Sequence, residues 1–254
     1  MLIVANWKMN SLRREGIDRA RKLRLLSSEK ELSCNIIVCP PAHIIHEVRQ
    51  ALDGSDIGVG AQDCHFDDGG AHTGDISVKM LADLGCTHII VGHSERRQEH
   101  FENDEIVKMK AKKVHSEGLI SIICIGETKE EKESGKALDR LHDQLSNSLP
   151  ETINSINTVV AYEPCWAIGS GLTPNHKEIE DAHTVIRDFL KRTIPKTKPL
   201  PYVLYGGSVN GNNAEGLLQI QGVSGALVGG ASLDPTDFWK ICQYAETAVN
   251  LKNS

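Results

Sequence analysis

The sequence predicts an α/β chain closed into a (β/α)8 barrel, with eight parallel strands inside and a ring of helices outside, as one domain over residues 1–254. Two observations carry that expectation. Eight short apolar runs recur along the chain, each followed by turn-prone residues, and the stretches between them carry helical spacing. Eight such units in roughly 250 residues is the usual size of this architecture. On rhythm alone a doubly wound open sheet remains the alternative, although no G-x-G-x-x-G follows the first run.

The runs are Leu2–Ala5, Ile36–Cys39, Ile57–Ala61, His88–Val91, Ile120–Ile125, Thr158–Tyr162, Tyr202–Tyr205 and Gly225–Val228. Most contain no polar residue, as expected of parallel strands buried on both faces. They start roughly every 20 to 45 residues, which leaves room for a helix in each gap. After run five, Lys129–Leu149 is charged and amphipathic, with a break at Gly135. After run six, Ile179, Ala182, Val185, Ile186, Phe189 and Leu190 repeat at helical spacing. Thr173-Pro174 gives that helix an N-cap and a proline at its first position. Asp234-Pro235 repeats the signal for a last helix reaching about Val249.

Composition narrows the function. Hydrophobic residues are 40% and charged residues 24%, typical of a folded globular chain. Lys plus Arg is 28 against 34 for Asp plus Glu, a net charge of −6. A mildly acidic chain is a poor match for nucleic acid. No apolar run reaches membrane-spanning length, and the N-terminus lacks the basic region and long apolar core of a signal peptide. The seven cysteines (Cys34, Cys39, Cys64, Cys86, Cys124, Cys165, Cys242) are odd in number, scattered and without C-x-x-C. They read as free thiols of a reducing cytoplasm, not as disulfides or a zinc site.

In such a barrel the chemistry lies at the C-terminal strand ends. Asn6, Trp7 and Lys8 follow run one, and Gly92, His93, Ser94 and Glu95 follow run four. Glu163, Pro164 and the Gly-rich stretch 165–171 follow run six; Gly206, Gly207 and Ser208 follow run seven; Gly229 and Gly230 follow run eight. Singly, each has an ordinary explanation as surface cation, structural histidine or tight turn. Together they place a cation, an imidazole, a carboxylate and three glycine-rich loops at one mouth. Backbone N–H groups in such loops can approach a phosphate, and a helix start at Gly229–Ser232 favours an anion. No G-x-x-x-x-G-K-[ST] is present, so the ligand is a small phosphorylated molecule and not a nucleoside triphosphate. Glu163 as base, His93 as proton donor or shuttle and Lys8 beside a developing oxyanion suit proton abstraction next to a carbonyl.

ANWKMN (5–10), VGHSERR (91–97), AYEPCWAIGSGLTP (161–174), YGGSV (205–209) and GALVGGASL (225–233) resemble the signature segments of the triosephosphate isomerase family, in order and spacing, over essentially the whole chain. That family is itself a standard case of acid–base tuning and lid closure. The resemblance implies interconversion of dihydroxyacetone phosphate and D-glyceraldehyde 3-phosphate through an enediol(ate), with no cofactor and no metal. Glu163 would move the proton. A neutral His93 would polarise the carbonyl. Asn6 and Lys8 would bind substrate and stabilise charge. Gly171, Ser208, Gly229 and Gly230 would offer N–H groups to the phosphate. Ser94 and Glu95 would support these groups from behind, Glu95 by orienting Lys8. The resemblance also implies a homodimer: loop 61–77, with Thr73 at its tip, would reach a pocket beside Met9 of the neighbouring subunit. Cys165, His72 and Asp75 depart from the commoner residues of the family. The segment Pro164–Gly171 would be the lid. Two other readings remain at this point: a Schiff-base aldolase on the same barrel using Lys8, and a non-catalytic barrel scaffold.

Overall fold

The structure, a computed structural model, describes residues 1–168, 172–195 and 198–253. Eight strands form the wall: β1 (Leu2–Asn6), β2 (Asn35–Cys39), β3 (Gly58–Ala61), β4 (His88–Val91), β5 (Ile120–Ile125), β6 (Thr158–Tyr162), β7 (Tyr202–Tyr205) and β8 (Gly225–Val228). Each pairs in parallel with the next, and β8 pairs with β1, so the sheet closes. This excludes the open-sheet alternative. Five strands match the expected runs to the residue, and the other three differ by one residue at an end.

The helices that follow are α1 (Arg13–Glu29), α2 (Ile45–Ala51), α3 (Val78–Asp83), α4 (Ser94–Glu99), α5 (Asp104–Ser116), α6 (Lys129–Glu133), α7 (Ala137–Ser148), α8 (His176–Thr193), α9 (Ala214–Gln219) and α10 (Pro235–Asn253). The break expected at Gly135 separates α6 from α7, with Gly135 at φ +72°. The start of α8 differs from expectation. Asn175, not Thr173, is its N-cap, accepting from Glu178 N–H while the Glu178 carboxylate accepts from Asn175 N–H. That reciprocal pair satisfies two otherwise unpaired donors, more than a threonine followed by proline can offer. For α10, Asp234 accepts from the N–H groups of Thr236 and Asp237, as its sequence signal suggested, and the helix runs to Asn253.

Burial on both strand faces produces two cores. The larger lies between sheet and helices and includes Ile3, Ala5, Val38, Ile89, Val91, Ile123, Val160 and Val203. The smaller fills the barrel interior with Leu2, Val4, Ile37, Ile90, Ile122, Cys124, Val159, Leu204 and Leu227. Every loop leaving a strand therefore opens above a packed floor, and the catalytic mouth is its rim.

Candidate active site

A cleft of about 430 Å³ sits at that rim, lined by Asn6, Lys8, His93, Glu163, Ile168, Gly206, Ser208, Gly229 and Gly230 among others. Two larger surface grooves, of about 720 and 800 Å³, lie beside the N-terminal ends of strands and are lined by charged side chains such as Arg21, Arg24, Lys30 and Asp56 in one and Arg187, Asp188 and Lys191 in the other. The expected residues Asn6, Lys8, His93, Glu163, Ser208, Gly229 and Gly230 meet in one place. Gly171 lies outside the described residues, as does the 169–171 end of the expected lid.

Glu163 directly follows β6 and is 1% exposed. Its N–H donates to Ile125 O, 2.7 Å away, so strand pairing continues into the site. Gly126 opposite must be glycine: a Cβ there would lie 1.6 Å from Glu163 O. The Glu163 Oε2 accepts from the Ser94 N–H at 2.9 Å, at the start of α4. Its Oε1 lies 3.0 Å from His93 Nε2, without a donor aligned on it. Burial pushes this carboxyl up, but the His93 ring, the Ser94 N–H and the Lys8 charge outweigh it and hold it below the ordinary range. Glu163 is thus favoured as a carboxylate, with Oε2 committed to the Ser94 N–H and Oε1 without an aligned donor.

His93 is the N-cap of α4, and its Nδ1 accepts the Glu95 N–H at 3.2 Å. Burial lowers the proton affinity of the ring, while the facing Glu163 carboxylate and then Glu95 raise it by more, a net rise. The helix contact opposes that rise. An imidazolium would turn an Nδ1–H against the Glu95 N–H, so these partners assign the neutral tautomer with its proton on Nε2.

Lys8 has φ +51°, a left-handed conformation uncommon for a non-glycine residue. Three contacts hold it. Its N–H donates to Asn6 Oδ1 at 3.0 Å, its Nζ to Glu95 Oε1 at 2.6 Å, and its carbonyl accepts from Gln62 Nε2 at 2.9 Å. The Nζ therefore lies in an ion pair at the rim and not in an apolar pocket, which removes the setting a Schiff-base lysine requires. Gly229 lets the Lys8 stem pass: a Cβ there would come within 3.2 Å of Lys8 Cε. Beyond it, Gly230–Leu233 forms a short 3-10 turn whose start faces the cleft, with Ser232 Oγ donating to Gly229 O.

Two residues absent from the sequence expectations join the site. Gln62, immediately after β3, braces Lys8 and also donates to Cys39 O at 3.0 Å. Glu127, just after β5, is buried and accepts from Trp166 Nε1 at 2.7 Å and Tyr162 OH at 3.1 Å. Lys132 lies 3.3 Å from the Trp166 ring centroid, and Cys165 N–H donates to Glu127 O. The described part of segment 164–171 is therefore anchored by Glu127. Burial pushes the Cys165 thiol up to about 12.

Loop 61–77 projects from the rim with Thr73 exposed. Nearby, Met9 and Phe101 are 95% and 83% exposed, unusual for residues of that size. Among the described residues, no helix is long and apolar enough to cross a membrane.

A family model described as triosephosphate isomerase matches residues 1–245. The triosephosphate isomerase of Rhodopseudomonas palustris (strain BisA53) is 46% identical over 244 residues, covering 94% of this chain and 95% of that protein. That of Brucella abortus biovar 1 (strain 9-941) is 43% identical over 243 residues, 95% of each. The crystal structure of triosephosphate isomerase from Bartonella henselae superposes with a TM-score of 0.87 at 39% identity, covering 96% of this chain and 98% of that one.

Proposed function

Because the chain belongs to the triosephosphate isomerase family, we propose that Glu163, His93, Lys8 and Asn6 carry its isomerisation of triose phosphates at the rim of a single barrel domain. The reaction interconverts dihydroxyacetone phosphate and D-glyceraldehyde 3-phosphate. The Glu163 carboxylate removes a proton from the carbon beside the carbonyl. That C–H bond breaks, a carbon–carbon double bond forms, and the carbonyl oxygen gains the negative charge. The Nε2–H of His93 and the Lys8 ammonium stabilise that oxygen, with Asn6 holding Lys8 and the substrate in place. His93 then relays a proton between the two enediol oxygens, and Glu163 returns its proton to the neighbouring carbon. The open Oε1 is the oxygen that accepts the carbon-bound proton.

The phosphate sits against the N–H groups of Ser208, Gly229, Gly230 and Gly171, the last delivered by closure of segment 164–171. Ser94 holds Glu163 and Glu95 holds Lys8. Exposed Met9 and Phe101 beside loop 61–77 support assembly as a homodimer, with Thr73 entering the neighbouring subunit. Free thiols support a cytoplasmic location.

One observation carries this reading above the others: the buried Glu163 carboxyl group lies 3.0 Å from His93 Nε2 in the same cleft that holds Lys8. A coupled assay on the purified chain with dihydroxyacetone phosphate is expected to show rapid isomerisation. Absence of turnover, or a borohydride-trapped adduct at Lys8, would overturn it.

A further inference from the structure

Loop 61–77 carries a cluster that isomerisation does not use. His65, Asp67 and His72 each bring a metal-ligating atom within 4.8 Å of the others. The geometry points to a binding site for one divalent transition-metal ion of the Zn2+ class, which clamps the loop in its folded form. All three ligands come from one chain, so the site is complete without a second subunit.

The distances fit a small tetrahedral ion. His72 Nε2 lies 3.1 Å from Asp67 Oδ2, and His65 Nδ1 lies 3.9 Å from the same oxygen. Zinc bonds of about 2.0–2.1 Å place neighbouring ligand atoms about 3.4 Å apart, so the first pair is already at coordinating separation and the second must close slightly. The two imidazole rings lie 4.1 Å apart and must splay as the ion enters.

The hydrogen bonds preset the His65 tautomer. Its Nδ1 accepts the Asp67 N–H at 3.0 Å, so the ring proton is on Nε2, which faces Asp75 Oδ2 at 3.9 Å. A ligating imidazole whose far N–H turns to a carboxylate is the usual supporting arrangement around such ions. On binding, the Nδ1 lone pair passes from the Asp67 N–H to the metal. Two imidazoles and a carboxylate suit Zn2+ over Mg2+ or Ca2+, which take oxygen ligands in larger number. In the isolated chain the side chains of His72 and Asp67 are 37% and 49% exposed. The cysteine count that argued against zinc does not bear on a site built from histidine and aspartate.

The test is a Co2+ titration of chelator-stripped protein, read by visible d–d absorption. Tetrahedral-type bands are expected to saturate at one equivalent per chain and to vanish on adding Zn2+. His65→Gln, His72→Gln and Asp67→Asn should each weaken uptake by about tenfold or more, and Asp75→Asn by about tenfold. His46→Gln, on exposed α2, should leave it unchanged. Zn2+ should slow amide exchange within 65–76 in the wild type and not in His72→Gln. The wild-type titration needs no variant to fold: absence of visible bands there overturns the proposal. Bands that persist in the folded His65→Gln and His72→Gln proteins, or that disappear with His46→Gln, overturn it equally.

Discussion

Gly206→Ala tests whether the barrel wall sets the position of the base. Gly206 follows β7, and its N–H donates to Tyr162 O at 2.7 Å, so its backbone cannot retreat. Its conformation is open to any residue, which leaves sterics as the whole perturbation. A Cβ built there lies 2.9 Å from Glu163 Cγ and 3.2 Å from Tyr162 O. Carbon atoms rest about 3.5–4.0 Å apart, so Glu163 must give by roughly half an ångström or more. Its carboxylate is already held against His93 and the Ser94 N–H, at 3.0 and 2.9 Å, which leaves little slack to absorb the shift. A displacement of about 1 Å can cost about 100-fold in rate, so half of that predicts a kcat loss of about tenfold, near 1.4 kcal/mol of barrier. Inhibition by inorganic phosphate should change less than kcat, because Gly171, Gly229 and Gly230, three of its four proposed donors, lie on other loops and only Ser208 shares the loop of Gly206. The coupled isomerisation assay gives kcat and KM, phosphate titration gives the inhibition constant, and circular dichroism checks the fold. Wild-type kcat in the folded variant would refute the reasoning. So would a loss confined to KM with an equal loss of phosphate affinity, which would place the effect on anion binding.

Glu163→Gln keeps the shape but not the basicity, and turnover should fall by about 10²–10⁴-fold in the same assay while phosphate inhibition persists. Shortening loop 61–77 about Thr73 should give a poorly active monomer by sedimentation; a fully active monomer would count against the proposed assembly. His88, at the start of β4, is held by burial at about 4 against an ordinary 6.5. The unfolded chain binds that proton more readily, so the stabilisation is complete above about pH 6.5 and fades toward pH 4, by up to about 3 kcal/mol. Urea midpoints measured across that window should fall less steeply for His88→Gln than for the wild type.

The strands were legible because burial on both faces leaves little choice but uninterrupted apolar residues, and β4 through β8 begin and end where those runs do. Site residues beside glycines, such as His93, Ser208 and Gly229, stood out for the same positional reason. Gln62 and Glu127 did not. Gln62 follows β3 directly and Glu127 follows β5 after Gly126, but each is a lone polar residue outside any catalytic pattern, and its value comes from contacts with Lys8 and Trp166 that only folding creates. The left-handed backbone of Lys8 leaves no trace in composition. The cap of α8 was readable as Asn175 with Glu178 three residues later, but the proline signal beside it drew the boundary two residues early. His65, Asp67 and His72 lie in a segment with no periodicity, and their approach depends on how the loop doubles back, marked by the bridge between His65 and Ser77.

The packed interior of the barrel also fixes how isotopes behave. Leu2, Val4, Ile37, Ile122 and Leu204 form a buried apolar cluster in the barrel interior beneath Glu163. A hydron taken from substrate can therefore exchange with solvent by one route, upward through the mouth. The fraction of tritium that travels from one substrate carbon to the other, set against the fraction washed out into water, becomes a clock: it compares the lifetime of the enediolate with the interval between openings above it. Variants that loosen the Trp166–Glu127 anchor should shift that ratio toward wash-out, while substitutions in the floor that keep it dry should leave the ratio where it was.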